Sequence, residues 1–125
     1  MTHQKILLID DDATLCQLLA EHLQAAGFVA VIATEGSQGL RKASLEQPDL
    51  IVLDLMMPYF DGFYAMENIR KIDIDAKFLV LTADITDVTK NKIERMKSIS
   101  LMYKPYDLDD VINEIKKLAS QQVLV

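Results

Sequence analysis

Ile6-Leu7-Leu8-Ile9-Asp10-Asp11-Asp12 decides how the rest of the chain reads: four aliphatic residues run straight into three carboxylates. A strand with one wet face alternates apolar and polar residues, whereas an unbroken aliphatic run suits a parallel strand buried on both faces. The same grammar recurs further along. Leu50-Ile51-Val52-Leu53 ends in Asp54, Phe78-Leu79-Val80-Leu81 ends in Thr82, and Leu101-Met102-Tyr103 ends in Lys104-Pro105. Open α/β sheets bind ligands beyond the carboxyl ends of their strands. The acids, the hydroxyl and the lysine are therefore expected along one edge, as a site where a cation and a phosphoryl group meet.

Helical patterns separate these runs. Leu15, Leu18, Leu19, Leu23 and Ala26 recur at helical spacing, and Gly27 supplies a C-terminal cap. Residues 28–33 read as a second strand and 37–46 as a second helix, stopped before Pro48. After the third strand comes a loop with Pro58 and a turn at Asp61-Gly62, then a helix carrying Phe63, Met66 and Ile69. The helix expected over 86–97 has the thinnest apolar stripe, Val88, Lys92, Ile93 and Met96 among Lys90, Arg95 and Lys97. Leu108, Val111, Ile112, Ile115 and Leu118 mark a strongly periodic last helix, with Asp107 as its N-cap. Alternation at this spacing predicts an α/β fold: five parallel strands flanked by five helices, doubly wound like flavodoxin. We take the strand order as 2-1-3-4-5. Residues 1–120 form one domain in this reading, with 121–125 a C-terminal tail or linker stub.

The bulk numbers agree with a single core: 125 residues, half of them apolar. A formal net charge of -6 and a pI near 4.8 argue against direct nucleic-acid binding by this domain. Cys16 is the sole cysteine, so no intramolecular disulfide is possible and a reducing compartment is implied. No apolar run approaches the roughly 18 residues needed to span a bilayer, and the first residues lack a signal-peptide core. The expectation is a soluble, cytoplasmic chain with no membrane contact.

In the order 2-1-3-4-5, strands one and three are neighbours where the winding direction switches, which brings Asp10, Asp11 and Asp54 into one pocket. Three carboxylates this close repel unless a cation neutralises them, and hard oxygen donors with room for water favour Mg²⁺. Thr82 and Lys104 would lie on the far side of Asp54, a hydroxyl and a point charge suited to phosphoryl oxygens. Phosphorylation of a carboxylate uses all five groups.

The chain resembles the receiver domains of two-component response regulators, the CheY-like family, over essentially its whole length. The matching pieces are Ile9-Asp10-Asp11-Asp12, Pro48-Asp49 through Asp54-Leu55-Met56-Met57-Pro58, Asp61-Gly62, Leu81-Thr82-Ala83 and Lys104-Pro105. The resemblance implies that Asp54 accepts the phosphoryl group, and that Asp10, Asp11, Asp54 and the Met56 backbone carbonyl hold Mg²⁺. It implies that Thr82 and Lys104 contact the phosphoryl group, with Ala83 and Pro105 in support and a cis Lys104-Pro105 bond. The implied donor is a sensor histidine kinase or a phosphotransfer protein, or for some members a small acyl phosphate. The implied output is a shift of the face made by helix 4, strand 5 and helix 5, which also offers a homodimer surface. Such a domain is not an enzyme beyond phosphotransfer and dephosphorylation at its own aspartate.

Two positions set this chain apart. Where the family usually carries an aromatic, three residues before the lysine, stands Leu101, which puts a rotating-aromatic step in doubt. Asp84 adds a carboxylate after Thr82, and we expect Asp84 and Met56 to set the lifetime of the phosphoryl group. The competing readings are a haloacid-dehalogenase-like phosphatase or phosphotransferase and a receiver-like module that binds partners without phosphorylation. The first would place an aspartate at position 56, where Met56 stands, and the second sits poorly with five intact site residues. The plainer roles go to Asp12 as a helix cap, Cys16 as a packing residue and His22 at a helix boundary. Lys90, Lys92, Arg95 and Lys97 form a solvated helix face that could meet Asp107, Asp109 and Asp110 of a second copy.

Overall fold

A computed structural model describes residues 3–120. Its central sheet joins β1 (Lys5–Ile9), β2 (Val29–Ala33), β3 (Leu50–Asp54), β4 (Phe78–Thr82) and β5 (Ile99–Tyr103), all parallel, in the order β2-β1-β3-β4-β5. Helices α1 (Ala13–Ala25), α2 (Gly36–Glu46), α3 (Gly62–Ile72), α4 (Asp87–Glu94) and α5 (Leu108–Ser120) make the crossovers. The expected fold and strand order are both found. The expected tail at 121–125 lies outside the described residues.

The aliphatic runs are buried on both faces because each strand feeds two separate cores. Leu7, Ile9, Ile51, Leu53, Phe78 and Val80 pack with α2, α3 and α4 through Ala43, Met66, Ile69 and Ile93. Their alternates Ile6, Leu8, Leu50, Val52, Leu79 and Leu81 pack with α1 and α5 through Cys16, Leu19, Leu23, Val111 and Ile115. Each such aliphatic side chain contributes roughly 1.5–3 kcal/mol on burial, so the three middle strands hold the sheet edge as one rigid platform. Cys16 is a fully buried packing residue, as expected.

Local signals end the helices where chemistry demands. Gly27 at φ +95° closes α1: its N–H bonds the Gln24 carbonyl and the Phe28 N–H bonds that of Leu23, a Schellman pair. Asp12 caps the other end, accepting from the Leu15 N–H at 3.0 Å. Leu18 lies on the outside of α1, 43% exposed, although it shares the apolar stripe. Helix α4 is shorter than its pattern suggested. It stops at Glu94 with Arg95 as cap, and Ser98 at φ +61° turns the chain into β5.

The segment expected as a plain loop after β3 is a small hairpin, in which Met56-Met57 pairs antiparallel with Phe60-Asp61. The turn falls at Pro58-Tyr59, with Tyr59 at φ +61°, rather than at Asp61-Gly62. Asp61 instead caps α3, accepting from the Phe63 N–H at 2.9 Å. Alternation over two residues a side is too short a pattern to read.

Candidate functional site

Strand register assembles the site. Ile9 pairs with Leu53, so Asp10 and Asp54 leave neighbouring strands at the same height. Asp54 pairs in turn with Leu81, one residue before Thr82, and Thr82 pairs with Tyr103, one residue before Lys104. The Lys104 N–H donates to the Thr82 carbonyl at 2.8 Å, which fixes the base of the lysine against the end of β4.

Asp10, Asp11 and Asp54 each offer a carboxylate oxygen, and these oxygens lie within 4.8 Å of one another. Asp10 and Asp54 are each only 5% exposed, while Asp11 faces solvent. Backbone amides hold both buried acids: the Asp12 N–H donates to Asp10 Oδ1 at 2.9 Å and the Met56 N–H to Asp54 Oδ1 at 3.0 Å. Opposite them, Lys104 Nζ donates to Asp54 Oδ2 at 3.1 Å.

The electrostatics follow from crowding. Burial, with Asp54 and Asp11 adding repulsion, raises the Asp10 carboxyl to about 6, against the Asp12 amide and the Lys104 charge, which lower it. Burial alone would lower the Lys104 ammonium, but its hydrogen bond to Asp54 and the charges of Asp54 and Asp10 outweigh that and hold it above the usual lysine range. One ammonium thus faces three carboxylates. The donor set is hard oxygen, net negative and partly desolvated, and it fits Mg²⁺ as it stands.

Thr82 is fully buried, and its Oγ1 accepts from the Asp84 N–H at 3.0 Å. Met56, two residues after Asp54, is 60% exposed. Ala83 and Pro105 are exposed beside Thr82 and Lys104, and the Lys104-Pro105 bond is cis. Asp84 has both carboxylate oxygens engaged: Oδ1 accepts from the Thr86 N–H at 2.9 Å and Oδ2 from the Thr89 hydroxyl at 2.6 Å. His22 is exposed, its ring Nδ1 2.9 Å from the Leu18 carbonyl.

Four contributors escaped the sequence reading. The Cys16 thiol donates to the Asp10 carbonyl at 3.5 Å, tying α1 to the acid it follows. Tyr106 places a buried hydroxyl in the field of Lys104 and Asp10, with no hydrogen-bond partner among the described residues. Thr86 and Thr89 complete the polar start of α4. Thr86, the N-cap that accepts from the Thr89 N–H, was the legible signal, a threonine directly before Asp87 in the first turn.

The family model described as "Response regulator receiver domain" matches residues 6–116. Among characterised relatives, the alkaline phosphatase synthesis transcriptional regulatory protein PhoP of Bacillus subtilis is 32% identical over 93% of this chain and 48% of its own length. Sporulation initiation phosphotransferase F of the same organism is 29% identical, with 94% of each chain covered. This chain spans about half the length of most of the transcriptional regulators it matches. Among solved structures, the non-phosphorylated HemR receiver domain of Leptospira biflexa superposes with a TM-score of 0.90 at 27% identity, covering 98% of each chain. The response regulator TrrA of Thermotoga maritima, solved in complex with Mg(2+)-BeF, gives a TM-score of 0.78 at 30% identity, covering 92% of this chain and 98% of its own.

Proposed function

The chain belongs to the receiver domains of two-component response regulators, and from that membership we propose that Asp54 is the residue that takes the phosphoryl group. The observation that carries the proposal is the convergence of Asp10, Asp11 and Asp54 oxygens within 4.8 Å, with Lys104 Nζ 3.1 Å from Asp54. In the reaction, an Asp54 oxygen attacks the phosphorus of a phosphohistidine. The new O–P bond forms as the P–N bond breaks, and the departing imidazole leaves with the donor. Mg²⁺, held by Asp10, Asp11, Asp54 and the Met56 carbonyl, would offset the charge gathered on the carboxylates and the phosphoryl oxygens. Lys104 holds one phosphoryl oxygen as a point charge, and the Thr82 hydroxyl donates to another. Ala83 and Pro105 shape the loops that carry these two groups.

Receiver domains are regulatory modules, and the product here is a conformation. Phosphorylation turns a carboxylate into a dianionic group with strong acceptor oxygens. The ensemble then shifts across the face built by α4, β5 and α5. The donor is a sensor histidine kinase or a phosphotransfer protein. A second copy is the partner we assign to that face, where Lys90 and Arg95 can meet Asp107, Asp109 and Asp110 of the other chain, while Lys92 lies over the Phe63 ring at 4.3 Å. Met56 and Asp84 set how long the phosphoryl group survives; unchanged dephosphorylation rates in Asp84→Ala and Met56→Asn would remove them from that role.

The test uses acetyl phosphate as donor. A Mg²⁺-dependent mass gain of one phosphoryl group is expected in the native chain and not in Asp54→Asn. No gain in the native chain would leave the binding-only reading in its place.

A further inference from the structure

The start of α4 is held by hydrogen bonds rather than by apolar packing. Ile85 and Val88 stand 74% and 76% exposed, and within the helix only Thr89 and Ile93 are buried. Four polar contacts run from the end of β4 into its first turn. The Asp84 N–H donates to Thr82 Oγ1, the Thr86 N–H to Asp84 Oδ1, the Thr89 hydroxyl to Asp84 Oδ2, and the Thr89 N–H to Thr86 Oγ1 at 3.4 Å. At 2.6 Å the Thr89–Asp84 bond is the shortest of the four and is charge-assisted. These same donors hold the Asp84 carboxyl below the usual carboxylate range.

Aromatic coupling has little to work with here. Leu101, in register with Val80, packs half-buried against the core under α2 to α4. Tyr103, in register with Thr82, stands 39% exposed. We propose that Asp84 is a positioning residue: its main-chain N–H reads the Thr82 hydroxyl and its carboxylate passes that state to Thr89 and α4.

Turning Thr82 to another staggered rotamer moves Oγ1 by roughly 2 Å, which takes it out of reach of the Asp84 N–H. That N–H then lacks its acceptor unless residues 83–84 shift. A shift there carries the Asp84 carboxylate away from Thr89 and Thr86, and α4 loses its first-turn anchors. The proposal rests on Asp54 as the phosphoryl acceptor, since that group is what draws Thr82.

The experiment is amide hydrogen exchange on the whole chain, with Mg²⁺ and beryllofluoride standing in for the phosphoryl group. In the native chain, addition should lower protection of the Lys90 and Asn91 amides by roughly five- to tenfold, the worth of one such hydrogen bond. Thr89→Val should show that reduced protection beforehand and no further change, whereas Thr89→Ser should respond like the native chain. Mass gain from acetyl phosphate, read in parallel, should be the same in all three. A Thr89→Val chain that gains the phosphoryl group and still responds by the full native factor overturns the coupling and leaves the acceptor reading standing. An unresponsive α4 in a native chain that does gain the group overturns it too. No mass gain in any chain means that the acceptor reading itself has failed, and the coupling with it.

Discussion

Lys104 Nζ sits 3.1 Å from Asp54 Oδ2, and the two side chains differ sharply in exposure: 31% for the lysine and 6% for the aspartate. The pair is therefore a lid with one wet side. Any cation that binds Asp54 must share the carboxylate with the ammonium.

Lys104→Met removes that rival cation while keeping the unbranched stem of the side chain. Asp54 then keeps only the Met56 N–H beside its buried charge, so the metal-free fold should lose about 1–3 kcal/mol, less than for a fully buried pair because the lysine is partly solvated. Mg²⁺ should bind several-fold more tightly to the variant. Denaturant titration and calorimetry measure the two effects; weaker Mg²⁺ binding would contradict the shared-carboxylate reading.

Asp10 gives the site a pH dependence of definite sign. Its folded-state value of about 6 lies above the ordinary 3.8. Its contribution to stability is therefore fully present below the unfolded value and is lost as pH rises through about 6. Without Mg²⁺, the cost at pH 7.5 relative to pH 5 should be of order 1–3 kcal/mol and should vanish in Asp10→Asn. Because Mg²⁺ must displace the Asp10 proton, its apparent affinity should fall as pH drops below about 6. A flat affinity between pH 5 and 7.5 would mean that Asp10 is not a ligand.

The hairpin after β3 depends on a close approach at the start of α2. A Cβ built on Gly36 meets the Phe60 ring at 1.9 to 2.2 Å. Gly36→Ala should cost about 1–3 kcal/mol through overpacking, and Phe60→Ala in the same chain should recover part of that loss. Urea unfolding of the two single variants and the double variant measures it. Additive effects would show that the two residues do not meet.

Much of this was legible in advance, for a physical reason. Runs such as Ile6 to Ile9 and Phe78 to Leu81 are apolar on both faces, and only a covered parallel strand satisfies that. The residue that ends each run then has to lie on one edge, so Asp10, Asp54, Thr82 and Lys104 were placed by the strands rather than by their own neighbours. What stayed hidden depends on short or three-dimensional patterns. A hairpin of Met56-Met57 against Phe60-Asp61 has no periodicity to detect. The exposure of Leu18 depends on which part of the α1 stripe the sheet and α5 cover. The commitment of Asp84 to Thr86 and Thr89 rather than to open solvent depends on where α4 begins, and its sparse apolar stripe fixed that start poorly.

Borohydride reduction converts an aspartyl phosphate to homoserine, so it marks the acceptor on the chain itself. After treatment with acetyl phosphate and Mg²⁺, peptide mass spectrometry should find homoserine at position 54 and at no other aspartate. Homoserine at another position, or a label that persists in Asp54→Asn, would contradict the assignment of Asp54.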